Sequence, residues 1–338
     1  MLRFEFQVSI GQSWLSDRTR RRSRCVWGRC LGEKGFWMIT VFGSINLDLV
    51  TRVVQLPRPG ETVHGSDITR FAGGKGANQA LAARRAGAEV RLVGAVGQDD
   101  FAGQALAELR AAAVDLTAVE ERGDTTGVAV ITVDEAAENT IVLSPGANLR
   151  CEAKQIPRDA FAPGGILMLQ MEVSEHETFA AARLAKASGG CVILSLAPFQ
   201  PLARDAFSDV SILLVNETEA ADLAGHYGIE GVGYEEIVQA LAGYLDVTVI
   251  ATLGADGAAS SQSGGDVIRV SSPQVTPVDT TGAGDTFAGV LAAGLDAGDD
   301  LANAMGRAAV AGALACTKQG AQPSFPTRLA IDRALTRD

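Results

Sequence analysis

Two glycines and an aspartate stand together at the predicted start of a buried helix: Gly282, Gly284 and Asp285, within the segment 279–287. Glycines at a helix start leave backbone N–H groups open to a ligand, and the helix dipole favours an anion there. A carboxylate beside a bound anion is unfavourable unless it does chemistry, such as taking a proton from an attacking hydroxyl. Asp285 is therefore a candidate general base. The alternative is an ordinary first-turn aspartate, because so short a pattern often occurs by chance.

A second group of polar residues follows the first predicted strand, Met38–Phe42. Asn46 and Asp48 lie one residue apart just beyond it, and they share a face if the chain stays extended. They could exchange hydrogen bonds with a polyol, or serve only as turn formers. The glycine-rich segment 73–79 then leads into a helix, and its glycines allow the backbone, a lysine and an asparagine to approach a ligand.

Polar or glycine residues recur where further predicted strands end. They are Glu172, the turn Ser195–Pro198, the run from Asn216 to Glu219 and the run from Leu253 to Gly257. Ligands of open α/β sheets bind at the carboxyl ends of the strands. Five such endings, counting that of the first strand, predict one shared site along one edge of a sheet.

The elements that must position these residues alternate between strand and helix. Helices are predicted at 75–86, 101–112, 175–186 and 301–316. This rhythm is typical of an α/β protein with a mostly parallel sheet. Residues 126–133 and 139–143 instead predict an antiparallel hairpin, which does not fit into that sheet. We therefore expect a separate small β lid over the site, built from about 46–72 and 124–145.

Composition and charge limit the classes of partner. The chain has 338 residues, of which 47% are hydrophobic, and a net charge of −11, which disfavours nucleic acid and anionic membranes as partners. Five scattered cysteines without metal-ligand spacing indicate a reducing compartment, so we expect a cytoplasmic protein. No apolar run approaches the roughly 20 residues of a membrane-spanning helix. Small molecules are the expected partners.

Residues 1–37 differ from the remainder of the chain. They hold all three tryptophans and carry a net charge of +5, against −16 for the rest. They lack the apolar core of a signal peptide. We interpret them as a disordered extension, either a transit peptide or a stretch upstream of a natural start at Met38, and expect one folded domain over 38–338.

Several well-known nucleotide and hydrolase motifs are missing from the sequence. It contains no Gly-x-x-x-x-Gly-Lys-Ser/Thr loop, no Rossmann glycine pattern after the first strand and no Gly-x-Ser-x-Gly elbow. A nucleotide, if bound, must be held by another kind of loop.

Six segments taken together resemble the PfkB (ribokinase) family of carbohydrate kinases. In the family's order they are 43–48, 57–62, 73–80, 216–219, 252–254 and 279–287. The resemblance extends from about Ile39 to the C-terminus, and the joint match is far more specific than any single motif. It implies a three-layer α/β/α fold with a central, mostly parallel sheet and a small β lid that often makes a dimer contact. It also favours the general-base role for Asp285.

The resemblance implies roles for particular residues. Asp285 would take the proton of a primary sugar hydroxyl, while the N–H groups of Gly282, Ala283 and Gly284 hold the transferring γ-phosphate. The sugar would be held by Asn46, Asp48, Gly74, Lys75, Gly76, Ala77, Asn78, Glu172 and Asp285. ATP would be bordered by Asn216, Thr252, Leu253, Gly254, Ala255, Asp256, Gly257, Gly284 and Ala309. Glu219 would reach Mg²⁺ through water, and K⁺ would lie at Asp279, Thr281, Ala315, Lys318, Gly320 and Ser324.

The sequence departs from the family pattern in two places. Ser195-Leu196-Ala197-Pro198 stands where many members have Asn-Pro-Ala-Pro, and Ala309 replaces a residue, often His, that packs near adenine. Both changes bear on the sugar or nucleotide pocket rather than on the base.

The expected reaction is phosphorylation of D-ribose at O5 by ATP, in a homodimer joined through the lid. The alternatives within the family are kinases of deoxyribose, fructose, a keto-deoxy sugar acid or a nucleoside. No additional arginine lies in the sugar-side motifs to take a carboxylate, although Arg52, Arg58 or Arg70 could reach it from the lid. In another class, the alternative is a non-catalytic sensor of a sugar or nucleotide.

Overall fold

The computed structural model describes residues 38–336, apart from 137, 159, 162, 163 and 232. The interpretation of residues 1–37 as an extension therefore concerns residues outside the described part. Among the described residues, no helix is both long enough and apolar enough to span a membrane.

Strands and helices alternate along most of the described chain. The strands are β1 (Met38–Phe42), β2 (Asn46–Arg52), β3 (Thr69–Gly73), β4 (Glu89–Val96), β5 (Asp115–Glu121), β6 (Gly127–Val133), β7 (Asn139–Ser144), β8 (Ile166–Leu169), β9 (Cys191–Ser195), β10 (Ile212–Asn216), β11 (Thr248–Thr252), β12 (Ala258–Ser261) and β13 (Ile268–Val270). The α-helices are α1 (Lys75–Arg85), α2 (Asp100–Ala105), α3 (Ala107–Ala111), α4 (Glu175–Ala187), α5 (Glu217–His226), α6 (Tyr234–Leu245), α7 (Ala283–Asp296), α8 (Leu301–Ala315) and α9 (Arg328–Leu335).

The larger sheet has nine strands in the order β13-β12-β11-β10-β9-β8-β1-β4-β5. Neighbouring strands run parallel except in the pairs β11–β12 and β12–β13. Because the parallel strands all point the same way, the ends of β1, β8, β9, β10 and β11 lie along one edge, which is where the predicted polar endings fall.

Helices cover both faces of this sheet. Successive strand residues point to opposite faces, so Ile39 and Val41 of β1 join an apolar cluster with α1, α7 and α8, whereas Phe42 joins a second cluster with α4, α5 and α6. The α/β/α layering predicted from the family resemblance is confirmed.

A second, four-stranded sheet has the order β3-β2-β6-β7 and confirms the small β lid. Its β6–β7 hairpin is antiparallel as predicted, with Val130 opposite Val142. Its centre is a parallel pairing of β2 with β6, in which Asn46 lies opposite Gly127. The lid is thus built from two distant parts of the chain, both of which leave the main sheet near the site.

The single helix predicted over 101–112 is wrong. The chain forms α2 and α3 instead and turns between them at Leu106, whose side chain is buried. The turn keeps the side chains of Ala105 and Leu109 in the core on both sides of the break, while Gly103 inside α2 lowers the helical preference of the segment.

Candidate active site

Gly282 caps the N-terminus of α7 and has the left-handed φ of 77°. A Cβ on Gly282 would lie 2.8 Å from a ring carbon of Phe325, so glycine is required by both conformation and space. The N–H of Ala283 donates to the Thr280 carbonyl at 3.2 Å, whereas the space beside Gly284 is open. Asp285 lies one residue further on, in the first turn, with 9% of its surface exposed. The helix start predicted from the sequence is confirmed.

Helix α1 brings two amide side chains to Asp285. Asn78 donates from Nδ2 to Oδ2 of Asp285 at 2.9 Å, and Gln79 donates from Nε2 to Oδ1 at 3.1 Å. The two helices can come this close because α7 has Gly289 at the crossing, where a Cβ would stand 2.6 Å from the Gln79 carbonyl oxygen. Each carboxylate oxygen of Asp285 thus accepts one amide N–H.

Glu172 joins three segments of the predicted sugar side. Its Oε2 accepts hydrogen bonds from Ser44 Oγ at 2.5 Å and from the Lys75 N–H at 3.1 Å. The loops after β1 and β8 are thereby tied to the first residue of α1. Gly76 lies against Gly43 in the same region, where a Cβ on Gly76 would stand 2.6 Å from backbone atoms.

The other two predicted sugar residues lie on β2. The Oδ1 of Asn46 accepts a hydrogen bond from Asn148 Nδ2 at 2.7 Å, and Asn148 also pairs with the backbone of Ile45 through both its oxygen and its nitrogen. The Asp48 carboxylate rests against Gly73 on the neighbouring strand.

The site gathers several carboxylates around one ammonium group. Burial, followed by the charges of Glu172 and Asp285, raises the pKa of Asp48 to about 7, although Lys75 opposes the shift. Burial alone would lower the pKa of Lys75, but attraction to these carboxylates and to Glu219 outweighs it and raises the pKa. Lys75 therefore lies within electrostatic reach of both the sugar-side and the nucleotide-side carboxylates.

The predicted nucleotide residues lie farther along the same sheet edge. Asn216 and Thr252 are direct partners at the ends of β10 and β11. Asn216 and Glu219 cap α5 by two reciprocal hydrogen bonds of 2.8 Å. Burial raises the pKa of Glu219, while the Asn216 N–H and Lys75 act against it. Beyond Thr252, the loop from Leu253 to Gly257 closes on itself through the Leu253 N–H and the Gly257 carbonyl at 2.8 Å and includes Ala255 and Asp256.

Asp279 joins two of the other predicted K⁺ residues, Thr281 and Gly320. Its carboxylate accepts the N–H groups of Thr281 at 2.9 Å and Gly320 at 2.8 Å. Burial would raise the pKa of Asp279, but these hydrogen bonds and the charge of Arg52 hold it below its ordinary value. On the facing loop, the Ala315 carbonyl accepts the Lys318 N–H at 3.3 Å. The Ser324 hydroxyl is turned inward and donates to the Ala321 carbonyl at 2.7 Å.

The two departures from the family pattern lie at different depths. Ala309 is buried within α8 in the apolar cluster that includes α1 and α7. The segment Ser195–Pro198 begins at the last residue of β9 and contains a cis peptide bond between Ala197 and Pro198. Its Ala197 carbonyl accepts the Met171 N–H at 3.1 Å, next to Glu172.

Sequence reasoning missed several side chains that hold this site together. They are Ser44, Gln79, Asn148, Gln170 and Gln322. Ser44 and Gln79 stand inside motifs that were singled out. Gln170 and Gln322 are isolated glutamines whose only sequence signal is their closeness to a strand end and to the loop after α8.

Comparison with known proteins agrees with this geometry. The model of the pfkB family of carbohydrate kinases matches residues 38–328. Ribokinase of Haemophilus influenzae is 36% identical over 296 residues, covering 86% of this chain and 95% of that protein. The structure of Thermotoga maritima ribokinase matches with a TM-score of 0.82 and 31% identity, covering 89% of this chain and 100% of that one. The structure of Arabidopsis thaliana ribokinase complexed with ribose and ATP matches with a TM-score of 0.77 and 30% identity, covering 88% and 98%. A family match over most of the chain, on a fold with this site at its sheet edge, means that the protein belongs to the pfkB family of carbohydrate kinases.

Proposed function

We propose that this chain is a ribokinase, which transfers the γ-phosphate of ATP to O5 of D-ribose. The observation that carries the proposal is the position of Asp285, buried in the first turn of α7 and held through both oxygens by residues of α1. In this reaction the O5–H proton passes to the Asp285 carboxylate as O5 bonds to the γ-phosphorus. The bond from that phosphorus to the β,γ-bridging oxygen breaks, and the products are ribose 5-phosphate and ADP.

The phosphoryl group would be stabilised at the start of α7. The N–H groups of Gly282, Ala283 and Gly284 would face the phosphoryl group at the positive end of the helix dipole, which favours its negative charge. The Ala283 N–H would exchange its 3.2 Å bond with Thr280 for a phosphate oxygen. Lys75, attracted to both Asp285 and Glu219, would bridge the sugar and the phosphates.

The charge of the sugar side favours a neutral polyol. Asp48, Glu172 and Asp285 surround it, with Lys75 as the cation they attract, so the carboxylate of a sugar acid would meet net repulsion. Arg70, one of the lid arginines that could have taken such a carboxylate, lies over the ring of Phe101 and donates to Gln104. Ribose itself is supported by the relatives named ribokinase and by the Arabidopsis complex with ribose.

ATP and Mg²⁺ would occupy the edge near β10 and β11. Asn216, Glu219 and Thr252 border it, and the 253–257 loop would lie along the nucleotide, with Ala309 behind it. Among the described residues no three His, Cys, Asp or Glu side chains are arranged to hold a metal ion. Mg²⁺ would therefore be held mainly by phosphate oxygens and water, with Glu219 reaching it through water, and would neutralise the phosphate charge.

K⁺ would bind in the loop pair around Asp279, beside the phosphoryl site. The Asp279 carboxylate and the backbone carbonyls of Thr281, Ala315 and Gly320 would supply the oxygen donors that suit a large monovalent cation. We expect turnover to be faster in K⁺ than in a bulky organic cation at equal ionic strength. Equal rates would remove this site from the proposal. An Asp279→Asn variant should lose the K⁺ dependence.

The lid would join two chains in a homodimer. Val130 and Val142 are paired across β6 and β7 and are 45% and 62% exposed, which leaves apolar surface on one face of an edge hairpin. Analytical ultracentrifugation should give the dimer mass for the parent and a shift to monomer for Val142→Asp. A monomeric parent would refute this part.

We further propose that residues 38–338 form the kinase domain and that the protein works in the cytoplasm. The family match over 38–328 supports the first statement, and the scattered cysteines without metal-ligand spacing support the second. A chain beginning at Met38 should keep full activity, and cell fractionation should place the protein with cytoplasmic markers. Loss of activity in the chain that begins at Met38 would contradict the first statement. Recovery of the protein in a membrane or organelle fraction would contradict the second.

The experiment that tests the function is a substrate panel with Mg-ATP: D-ribose, deoxyribose, fructose, a keto-deoxy sugar acid and nucleosides. D-Ribose should have the highest kcat/KM, and the product should be the 5-phosphate. Turnover of another substrate alone would replace ribose in the proposal. Binding of one of these substrates without turnover of any of them would favour the alternative of a non-catalytic sensor.

A further inference from the structure

Four buried amide side chains converge on Asp285 as two chains of hydrogen bonds. In one, Gln170 Nε2 donates to Gln79 Oε1 at 2.7 Å, and Gln79 donates onward to Asp285. In the other, Gln322 Nε2 donates to Asn78 Oδ1 at 3.2 Å, and Asn78 donates onward to Asp285. Gln170 and Gln322 are fully buried, and both lie behind the residues that touch the carboxylate.

The direction of both chains is fixed by the charge at their end. An ionised carboxylate only accepts hydrogen bonds, so Gln79 and Asn78 must turn their NH₂ groups toward Asp285 and their oxygens away. Those oxygens then require a donor, which Gln170 and Gln322 supply. As a result, among the described residues the Oε1 atoms of Gln170 and Gln322 are buried without a hydrogen-bond partner. Such unpaired buried oxygens are costly, and the aligned donors explain why they are present.

The backbone behind the second chain is also anchored. Arg85 of α1 donates to the carbonyls of Gln322 and Phe325, and it pairs with Glu108 at 2.9 Å. The loop that carries Gln322 is therefore held against the same helix that carries Asn78 and Gln79.

We propose that Gln170 and Gln322 are positioning residues for phosphoryl transfer, which act on Asp285 through Gln79 and Asn78. Each carboxylate oxygen has one amide N–H in a fixed direction, so the remaining lone pairs are presented to the sugar hydroxyl in one orientation. Small misplacements of a reacting group lower the rate strongly, so the effect falls on kcat rather than on sugar binding. This inference rests on the proposed function, because it assigns the amides to the base of that reaction.

The test compares Gln170→Met, Gln79→Met and the double variant in steady-state assays with D-ribose and Mg-ATP. Gln170→Met removes the donor while keeping the side-chain size, and it should lower kcat about tenfold with KM for ribose changed less than about twofold. Because Gln170 acts only through Gln79, the double variant should match Gln79→Met within about twofold.

The matched control is Gln155→Met. Gln155 is also a buried glutamine, but its amide donates to the Gly94 carbonyl at 3.0 Å and its oxygen accepts the Glu152 N–H, away from the residues around Asp285. It should lower the melting temperature and leave kcat unchanged. If kcat fell as much in Gln155→Met as in Gln170→Met, general destabilisation would explain both losses, and the proposal would be overturned.

Two further results would overturn it: an unchanged kcat in folded Gln170→Met, or single losses that multiply in the double variant. Gln322→Met repeats the test on the second chain, and Gln170→Leu, which also lacks a donor, replaces Gln170→Met should that variant not fold. The parent and Asp285→Asn are measured alongside. A parent without sugar turnover refutes the proposed function and this inference with it, whereas an active parent with an unaffected Gln170→Met refutes the inference alone.

Discussion

Replacing Asp48 by asparagine should stabilise the ligand-free protein and weaken its binding of the sugar. Burial and the charges of Glu172 and Asp285 raise the pKa of this carboxyl group from 3.8 to about 7. Its ionised form is therefore unfavourable in the folded protein. We propose that the group is retained because it accepts a sugar hydroxyl, as expected where function costs stability.

The size of the effect follows from the two pKa values. Between about pH 4 and pH 7 the folded protein holds a proton that the unfolded chain has released, so the free energy of unfolding falls as pH rises through this window. At 1.36 kcal/mol per pKa unit, the full penalty is at most about 4 kcal/mol above pH 7, and roughly 2–3 kcal/mol of it develops between pH 5 and pH 8. Asparagine does not titrate and escapes this penalty.

The assay is urea unfolding of the parent and Asp48→Asn at pH 5, 6, 7 and 8. The stability advantage of the variant should grow by about 2–3 kcal/mol over this range, and titrating groups that do not interact with Asp48 cancel in the difference. Calorimetric titration should show ribose binding weakened about 10- to 100-fold, as for the loss of a charged hydrogen bond. An advantage that does not change with pH would refute the reasoning.

Two glycine substitutions test the close contacts that place the base. Gly282→Ala forces a left-handed φ on alanine and pushes its Cβ toward Phe325, so unfolding should become easier by about 1–3 kcal/mol and kcat should fall. Unchanged stability and rate would contradict the geometry of the helix start. Gly289→Ala pushes α1 away from α7, and we expect kcat to fall more than ribose affinity, because the amides of Asn78 and Gln79 lose their distance to Asp285. An equal loss of kcat and of ribose affinity in Gly289→Ala would mean that the close crossing of α1 and α7 serves stability alone. Steady-state kinetics and thermal unfolding, measured on the same protein, distinguish these outcomes.

The main elements could be predicted because the strands of the parallel sheet are short apolar runs with polar residues at their ends. Asn216 and Thr252 end separate predicted strands, and the structure makes them direct partners. Glu172 was likewise placed at a strand end and lies between Ser44 and Lys75. Parallel strands order their ends along one edge, so this part of the site follows from the sequence.

The parts that escaped prediction depend on contacts between distant segments. The pairing of β2 with β6 has no local signal. β12 consists only of small residues and β13 of only three residues, so neither shows a period. Gln170 lies 91 residues from Gln79, and Gln322 lies 244 residues from Asn78. A lone glutamine carries no pattern that would reveal such a partner. The break at Leu106 reflects packing of the two short helices, which overrides helical preference.

The most direct test of the central claim is the kcat of Asp285→Asn with D-ribose and Mg-ATP, measured on protein whose unfolding matches that of the parent. Asparagine keeps the shape of the side chain but cannot take the O5 proton, so kcat should fall about 10²- to 10⁴-fold. A folded Asp285→Asn that makes ribose 5-phosphate at the parent rate would contradict the account.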